Sequence, residues 1–73
     1  MIHVLATISF HPGKRAEWLE EFRRLQPLVL AEQGCLEYDV AFDIPTGLSV
    51  QPPVNENEAM VIEKWSSLDA LQA

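Results

Sequence analysis

His3, Tyr38, Glu63 and Trp65 are the side chains of this sequence best equipped to act on a small molecule. Imidazole titrates near neutral pH, so His3 suits proton removal, although a strand histidine can equally serve as a hydrogen-bonded structural group. Glu63 shares strand parity with Ala59, Val61 and Trp65 in an otherwise apolar run. A carboxylate buried there resists ionisation and becomes a base; one at the surface would pair with Lys14, Arg23 or another cation. Tyr38 has the parity of Leu36, Val40 and Phe42, and can donate to a ligand oxygen or rest at a core edge with its hydroxyl in water. Trp65 can wall a pocket for a flat ligand and offer its indole N–H, or pack as a core residue beneath a helix. Cys35 has no evident histidine partner and reads as a small core residue rather than a nucleophile. His11 sits in a turn and reads as solvated. The spacing of His3, His11 and Cys35 matches no zinc-ligand pattern, so no metal site is expected.

Five elements are predicted to position these groups. Residues 2–10 are rich in Ile, Val, Thr and Phe and read as a strand apolar on both faces, with His3 sharing a face with Leu5 and Thr7. His11-Pro12-Gly13 breaks it. From Lys14 to about Glu32 the period becomes helical: Trp18, Phe22, Leu25 and Val29 fall on one side, with Glu17, Glu20, Glu21, Arg23 and Arg24 on the other. Pro27 should kink or split this helix, and Gly34 is placed to end it in a left-handed turn. Residues 35–43 alternate as a second strand. Residues 44–58 are irregular, with Leu48-Ser49-Val50 a candidate edge strand, and residues 59–65 form a further strand. Ser66 is the expected cap of a second helix, with Asp69 in the capping-box position. The sequence stops about two turns into that helix, which predicts that its end and a following strand lie beyond the residues given.

Seventy-three residues allow one domain, residues 1–73, and a chain of this length is marginal alone. With one cysteine and no metal pattern, association with another chain is the expected source of extra stability. Eleven acidic against five basic residues give a net charge of −6, and the cations are scattered among glutamates. No basic stripe forms, so nucleic acid and anionic membranes are disfavoured partners. No apolar run approaches the ~20 residues of a membrane helix, and the apolar start lacks a charged leader and a cleavage site. The expected location is therefore cytoplasmic.

The element order fits an α+β sandwich of ferredoxin-like topology: an antiparallel sheet with helices on one face, without its last strand. Three segments resemble antibiotic biosynthesis monooxygenase domains. Met1-Ile2-His3-Val4-Leu5-Ala6-Thr7-Ile8 followed by Pro12-Gly13-Lys14 resembles their first strand and turn. Glu32-Gln33-Gly34-Cys35-Leu36-Glu37-Tyr38 looks like their helix exit. Glu63-Lys64-Trp65 with Ser66 and Leu68-Asp69-Ala70-Leu71 looks like the strand exit into the second helix. Gly47-Leu48-Ser49-Val50-Gln51 is most similar to the quinol monooxygenase branch.

The resemblance implies a homodimer whose sheets pack face to face into a dimeric α/β-barrel. It also implies oxidation of a small electron-rich aromatic, such as a hydroquinone, by dioxygen without metal, flavin or haem. Such chemistry requires a base, donors for the developing phenolate and an apolar pocket. His3, Trp65, Tyr38 and Glu63 are the candidate catalytic residues, and Leu5, Thr7, Phe22 and Val61 the candidate pocket lining. Two other readings stay open on this resemblance. One is a related isomerase or haem-degrading enzyme; haem degraders carry an asparagine on the first strand where Thr7 stands here. The other is a non-catalytic ligand-binding dimer, since one fold hosts many roles.

Overall fold

The computed structural model describes residues 1–73 and contains three strands and two helices: β1 (Ile2–Ser9), α1 (Arg15–Leu30), β2 (Cys35–Ala41), β3 (Glu58–Trp65) and α2 (Leu68–Gln72). The strands form one antiparallel sheet in the order β1-β3-β2. β3 lies in the centre, with Ile2 opposite Trp65 and Ser9 opposite Glu58 on one side, and Tyr38 opposite Glu63 and Val40 opposite Val61 on the other. This arrangement is α+β, as the element order predicts.

The period of two divides the sheet into two unequal faces. On one face stand Ile2, Val4, Ala6 and Ile8 of β1 with Ala59, Val61, Glu63 and Trp65 of β3. Phe22 of α1 packs on this side, and Phe22, Ala59, Val61 and Trp65 are the four buried residues of the chain. On the other face, His3, Leu5, Thr7 and Ser9 are all exposed, with Leu5 at 66%. The expectation of a first strand covered on both sides is therefore met on one side only within a single chain.

Several local expectations are corrected. Pro27 does not split α1, which runs unbroken from Arg15 to Leu30. Proline lacks a donor, but its carbonyl still accepts, and the Ala31 N–H closes the last turn onto the Pro27 carbonyl at 3.1 Å. Gly34 does adopt a left-handed φ of 86°, but at the entrance to β2 rather than at the end of α1, whose C-cap is Ala31. A register shift between Cys35 and Glu37 leaves Leu36 exposed and out of step with Tyr38 and Val40. Leu48-Ser49-Val50 makes a turn instead of an edge strand. The cap of α2 is Ser67, whose hydroxyl accepts from the Ala70 N–H at 3.1 Å, one residue later than expected. Cys35 is half-buried at the sheet edge rather than in the core.

The molecule measures 38 × 28 × 15 Å with a radius of gyration of 14.1 Å. A compact domain of this length would have a radius of about 11 Å. The chain is thus a slab with one layer of helix on one layer of sheet, and its second sheet face is bare.

Candidate functional site

Between α1 and the sheet lies a cleft of about 220 Å³. Its helix wall comes from the stripe read in the sequence: Trp18, Phe22 and Leu25, with Glu21 at the rim. Its sheet wall is Ile8, Val61 and Tyr38, one from each strand. The four-and-three spacing on the helix and the common parity of the strands bring these groups together, because each periodicity turns its apolar side toward the other layer.

The aromatic groups are ordered as a stack. Phe22 and Tyr38 lie almost parallel, with ring centroids 5.0 Å apart and 12° between planes. Trp18 continues the stack beyond Phe22 at 5.5 Å and 23°, and Phe10 follows at 5.7 Å and 24°. Phe42 meets Trp18 edge-on at 6.1 Å, and the Arg15 guanidinium lies 4.2 Å over the Phe42 ring. Trp18 and Phe22 each lie between two neighbours in this stack, so their faces are taken up within it and the cleft meets its apolar flank.

Tyr38 joins this wall to the polar end of the site. Its backbone carbonyl accepts from the Gln26 carboxamide at 2.8 Å, which ties β2 to α1. Burial pushes its phenol above the ordinary value of 10.0, and the negative charge of Glu63 pushes it the same way. The hydroxyl therefore keeps its proton at neutral pH and is a donor. Glu63 faces Tyr38 directly across the ladder, at the ~5 Å Cβ separation of an opposed pair. The indole N–H of Trp65 donates to Glu63 Oε1 at 3.0 Å, holding the carboxylate as an acceptor. Burial also raises the Cys35 thiol from 9.0, a backbone hydrogen bond with Glu37 works against this, and the charges of Glu32 and Glu63 add to the rise; the thiol Sγ donates to the Glu37 carbonyl at 3.7 Å.

The candidate residues thus fall into two groups separated by the sheet. Phe22, Val61 and Tyr38 wall the cleft, and Glu63 and Trp65 stand next along β3 on the same side. Trp65 is buried and does not reach the cleft surface. Glu63 takes none of the chain's ion pairs, which join Lys14 to Glu17, Arg24 to Glu21 and Lys64 to Glu37. His3, Leu5 and Thr7 point out of the opposite face. There Thr7 borders a separate recess of about 170 Å³ with Met60, Phe42 and two carboxylates, Asp43 and Glu58. No group of three or more His, Cys, Asp or Glu side chains is arranged to hold a metal ion. Trp18, Leu25 and Ile8 were absent from the expected lining. Their signal was the helical stripe itself, which faces whichever strand residues share the parity of Val61.

Residues 1–73 match the antibiotic biosynthesis monooxygenase family along their whole length. The chain is 36% identical, over a 75-residue alignment, to a probable quinol monooxygenase, YgiN, of Escherichia coli strain K12; the match covers 100% of this chain and 71% of that protein. The protein of the same name in Shigella flexneri matches equally, at 36%. Among solved structures, PA3566 from Pseudomonas aeruginosa superposes with a TM-score of 0.72 at 30% identity, covering 96% of this chain and 62% of that one. The chain therefore spans about two thirds of the length of these relatives. No helix is long and apolar enough to cross a membrane. From its match over every residue and its likeness in structure, this chain belongs to the antibiotic biosynthesis monooxygenase family.

Proposed function

We propose that this chain is an oxidoreductase that inserts oxygen from dioxygen into a quinol or a similar electron-rich aromatic, with no cofactor. The observation that carries the reading is the cleft walled by the Phe22–Tyr38 stack, with a protonated phenol at one end and a carboxylate opposite it on the next strand. The family and the relative named as a probable quinol monooxygenase support it.

In this reading the substrate ring lies against the aromatic wall and one ring oxygen meets the Tyr38 hydroxyl. Glu63, as the base, accepts the proton of that oxygen. Deprotonation makes a hydroquinone reducing enough to pass an electron to dioxygen, so the substrate supplies the electrons itself. One oxygen atom enters the ring as a hydroxyl of the quinone product, and the other leaves as water. The Tyr38 donor stabilises the phenolate where charge develops, the role in which a fixed dipole counts most. Trp65 acts through Glu63 by fixing the carboxylate rather than by touching the ring.

The functional unit is a homodimer paired through the bare sheet face, in the cytoplasm. A slab 15 Å thick with four buried residues leaves Leu5 and Met60 exposed and Ile62 half-buried, and a second copy on that face would complete a core. His3, Leu5 and Thr7 then belong to the pairing face.

Oxygen uptake with reduced naphthoquinol and chelator-treated protein tests the activity against a no-enzyme blank. Uptake well above the blank, lost in Tyr38→Phe and Glu63→Gln, is the expected result. Uptake at the blank rate overturns the proposal.

A further inference from the structure

The segment between β2 and β3 is folded inside out. Its ends are tied by the Asn55 N–H, which donates to Asp43 Oδ2 at 3.3 Å, so residues 44–54 form a closed loop of the Ω type. The polar groups are used within it. Gln51 Oε1 accepts from the Thr46 N–H at 3.0 Å and from the Thr46 hydroxyl at 2.7 Å, while Gln51 Nε2 donates to the Ile44 carbonyl at 2.6 Å. The Thr46 hydroxyl also accepts from the Leu48 N–H at 3.2 Å, and the Gln51 N–H donates to the Leu48 carbonyl at 3.1 Å. With a hydrogen-bonded glutamine at its centre, the loop turns its apolar side chains outward: Ile44 is 63% exposed, Leu48 65% and Val50 86%. Residues 44–54 include no Asp, Glu, Lys or Arg, in a chain whose charged content is 22%. A solvated loop has the opposite character, and an ordered apolar projection of this kind marks a contact surface.

The contact that fits is a second copy of this chain. Eight residues of strand by three strands give the bare sheet face an outline of roughly 14 by 27 Å. That is about 400 Å², half of the ~800 Å² per partner that a stable pair buries. The loop lies beside this face and is continuous with it, since the recess that Thr7 and Met60 border on the sheet is closed by Phe42 and Asp43 at the loop's root. We propose that the loop of residues 44–54 is an arm that grips the partner subunit, adding Leu48 and Val50 to the sheet-face interface. The inference rests on the dimer described above and extends it to a part of the chain that the sheet face does not include.

Sedimentation equilibrium of the whole chain and two variants separates the possibilities. Leu48→Asp with Val50→Asp alters the arm alone, and Leu5→Asp alters the sheet face alone. Both sets are exposed, so circular dichroism should match the parent; Leu48→Ser with Val50→Ser repeats the arm test without added charge. The proposal expects a dimeric parent and a dissociation constant at least tenfold higher in each arm variant. An unchanged constant in both arm variants, with Leu5→Asp still dissociating the pair, overturns the arm and leaves the sheet-face dimer standing. A parent that sediments as a monomer overturns both.

Discussion

Replacing Gly34 with alanine combines two distinct penalties at one atom. Its φ of 86° lies in the left-handed region, which costs a side chain about 1–2 kcal/mol. A methyl group there would also lie 2.5 Å from Ala70 Cβ and 2.7 Å from Ser66 Oγ. These neighbours have little room to retreat, because the Ser66 N–H donates to the Gly34 carbonyl at 2.7 Å and so pins the start of β2 to the start of α2. Overpacking of a fixed contact adds about 1–3 kcal/mol. Gly13 isolates the first effect: its φ is 82°, and a methyl on it would meet nothing within 4 Å. Gly34→Ala should therefore destabilise by roughly 2–5 kcal/mol and Gly13→Ala by roughly 1–2 kcal/mol. At about 4–8 °C per kcal/mol for a domain of this size, Gly34→Ala should lower Tm by at least roughly 8 °C. Thermal unfolding followed by circular dichroism at one fixed protein concentration measures both, the concentration being held because association shifts Tm. Equal losses in the two variants would show that α2 does not press on Gly34 and would refute the packing argument.

Other perturbations address the site. Trp65→Phe keeps most of the ring volume and removes the donor to Glu63, so quinol turnover should fall by more than thermal stability does; equal falls in both would make the residue purely core. Phe22→Ala opens the stack beside Tyr38 and should cost about 3–5 kcal/mol, read by urea unfolding, whereas Phe22→Leu should retain most of the stability and mainly weaken substrate binding, read as KM. Alkaline pH tests the half-buried phenol of Tyr38. Because its pKa in the fold is raised above the unfolded value of 10.0, the folded state holds that proton more tightly. The Tyr38 contribution is thus complete below pH 10 and is lost as pH rises through the raised value. Tyr38→Phe should flatten the loss of stability above pH 10, and an unchanged alkaline limb would mean that the phenol is solvated.

Much of this architecture is legible in local sequence because it rests on short periodicities. The Trp18, Phe22, Leu25 stripe predicts both α1 and its inward side, and the parity of Ala59, Val61, Glu63 and Trp65 places them on one face of β3. The cleft itself was only half visible. Parity says that His3, Leu5 and Thr7 share a face, but it does not say which face meets α1. That choice depends on helix docking, so the two groups of candidate residues read as one site until the sheet separates them. The irregularity at Leu36 was equally hidden, since a register shift changes which residues face inward without changing their order. Residues 44–54 read as irregular from their prolines and glycine, and the reading of Leu48-Ser49-Val50 as a strand failed because the bonds from Gln51 to Thr46 and Ile44 draw the segment into a closed loop. Pro27 does not divide α1 because it stands in the helix's last turn, where a single missing donor is a small loss beside the burial of Phe22 on the sheet.

The central claim is that the cleft beside Tyr38 and Glu63 transfers one atom of dioxygen to an aromatic ring whose own electrons reduce the other. Turnover of a reduced naphthoquinol under isotopically labelled dioxygen, with the product trapped at once and weighed by mass spectrometry, tests this most directly. The account predicts a hydroxylated quinone carrying one labelled oxygen atom, formed by the parent chain and not by Glu63→Gln. A quinone without label, formed together with hydrogen peroxide or at the rate of the protein-free blank, would contradict it.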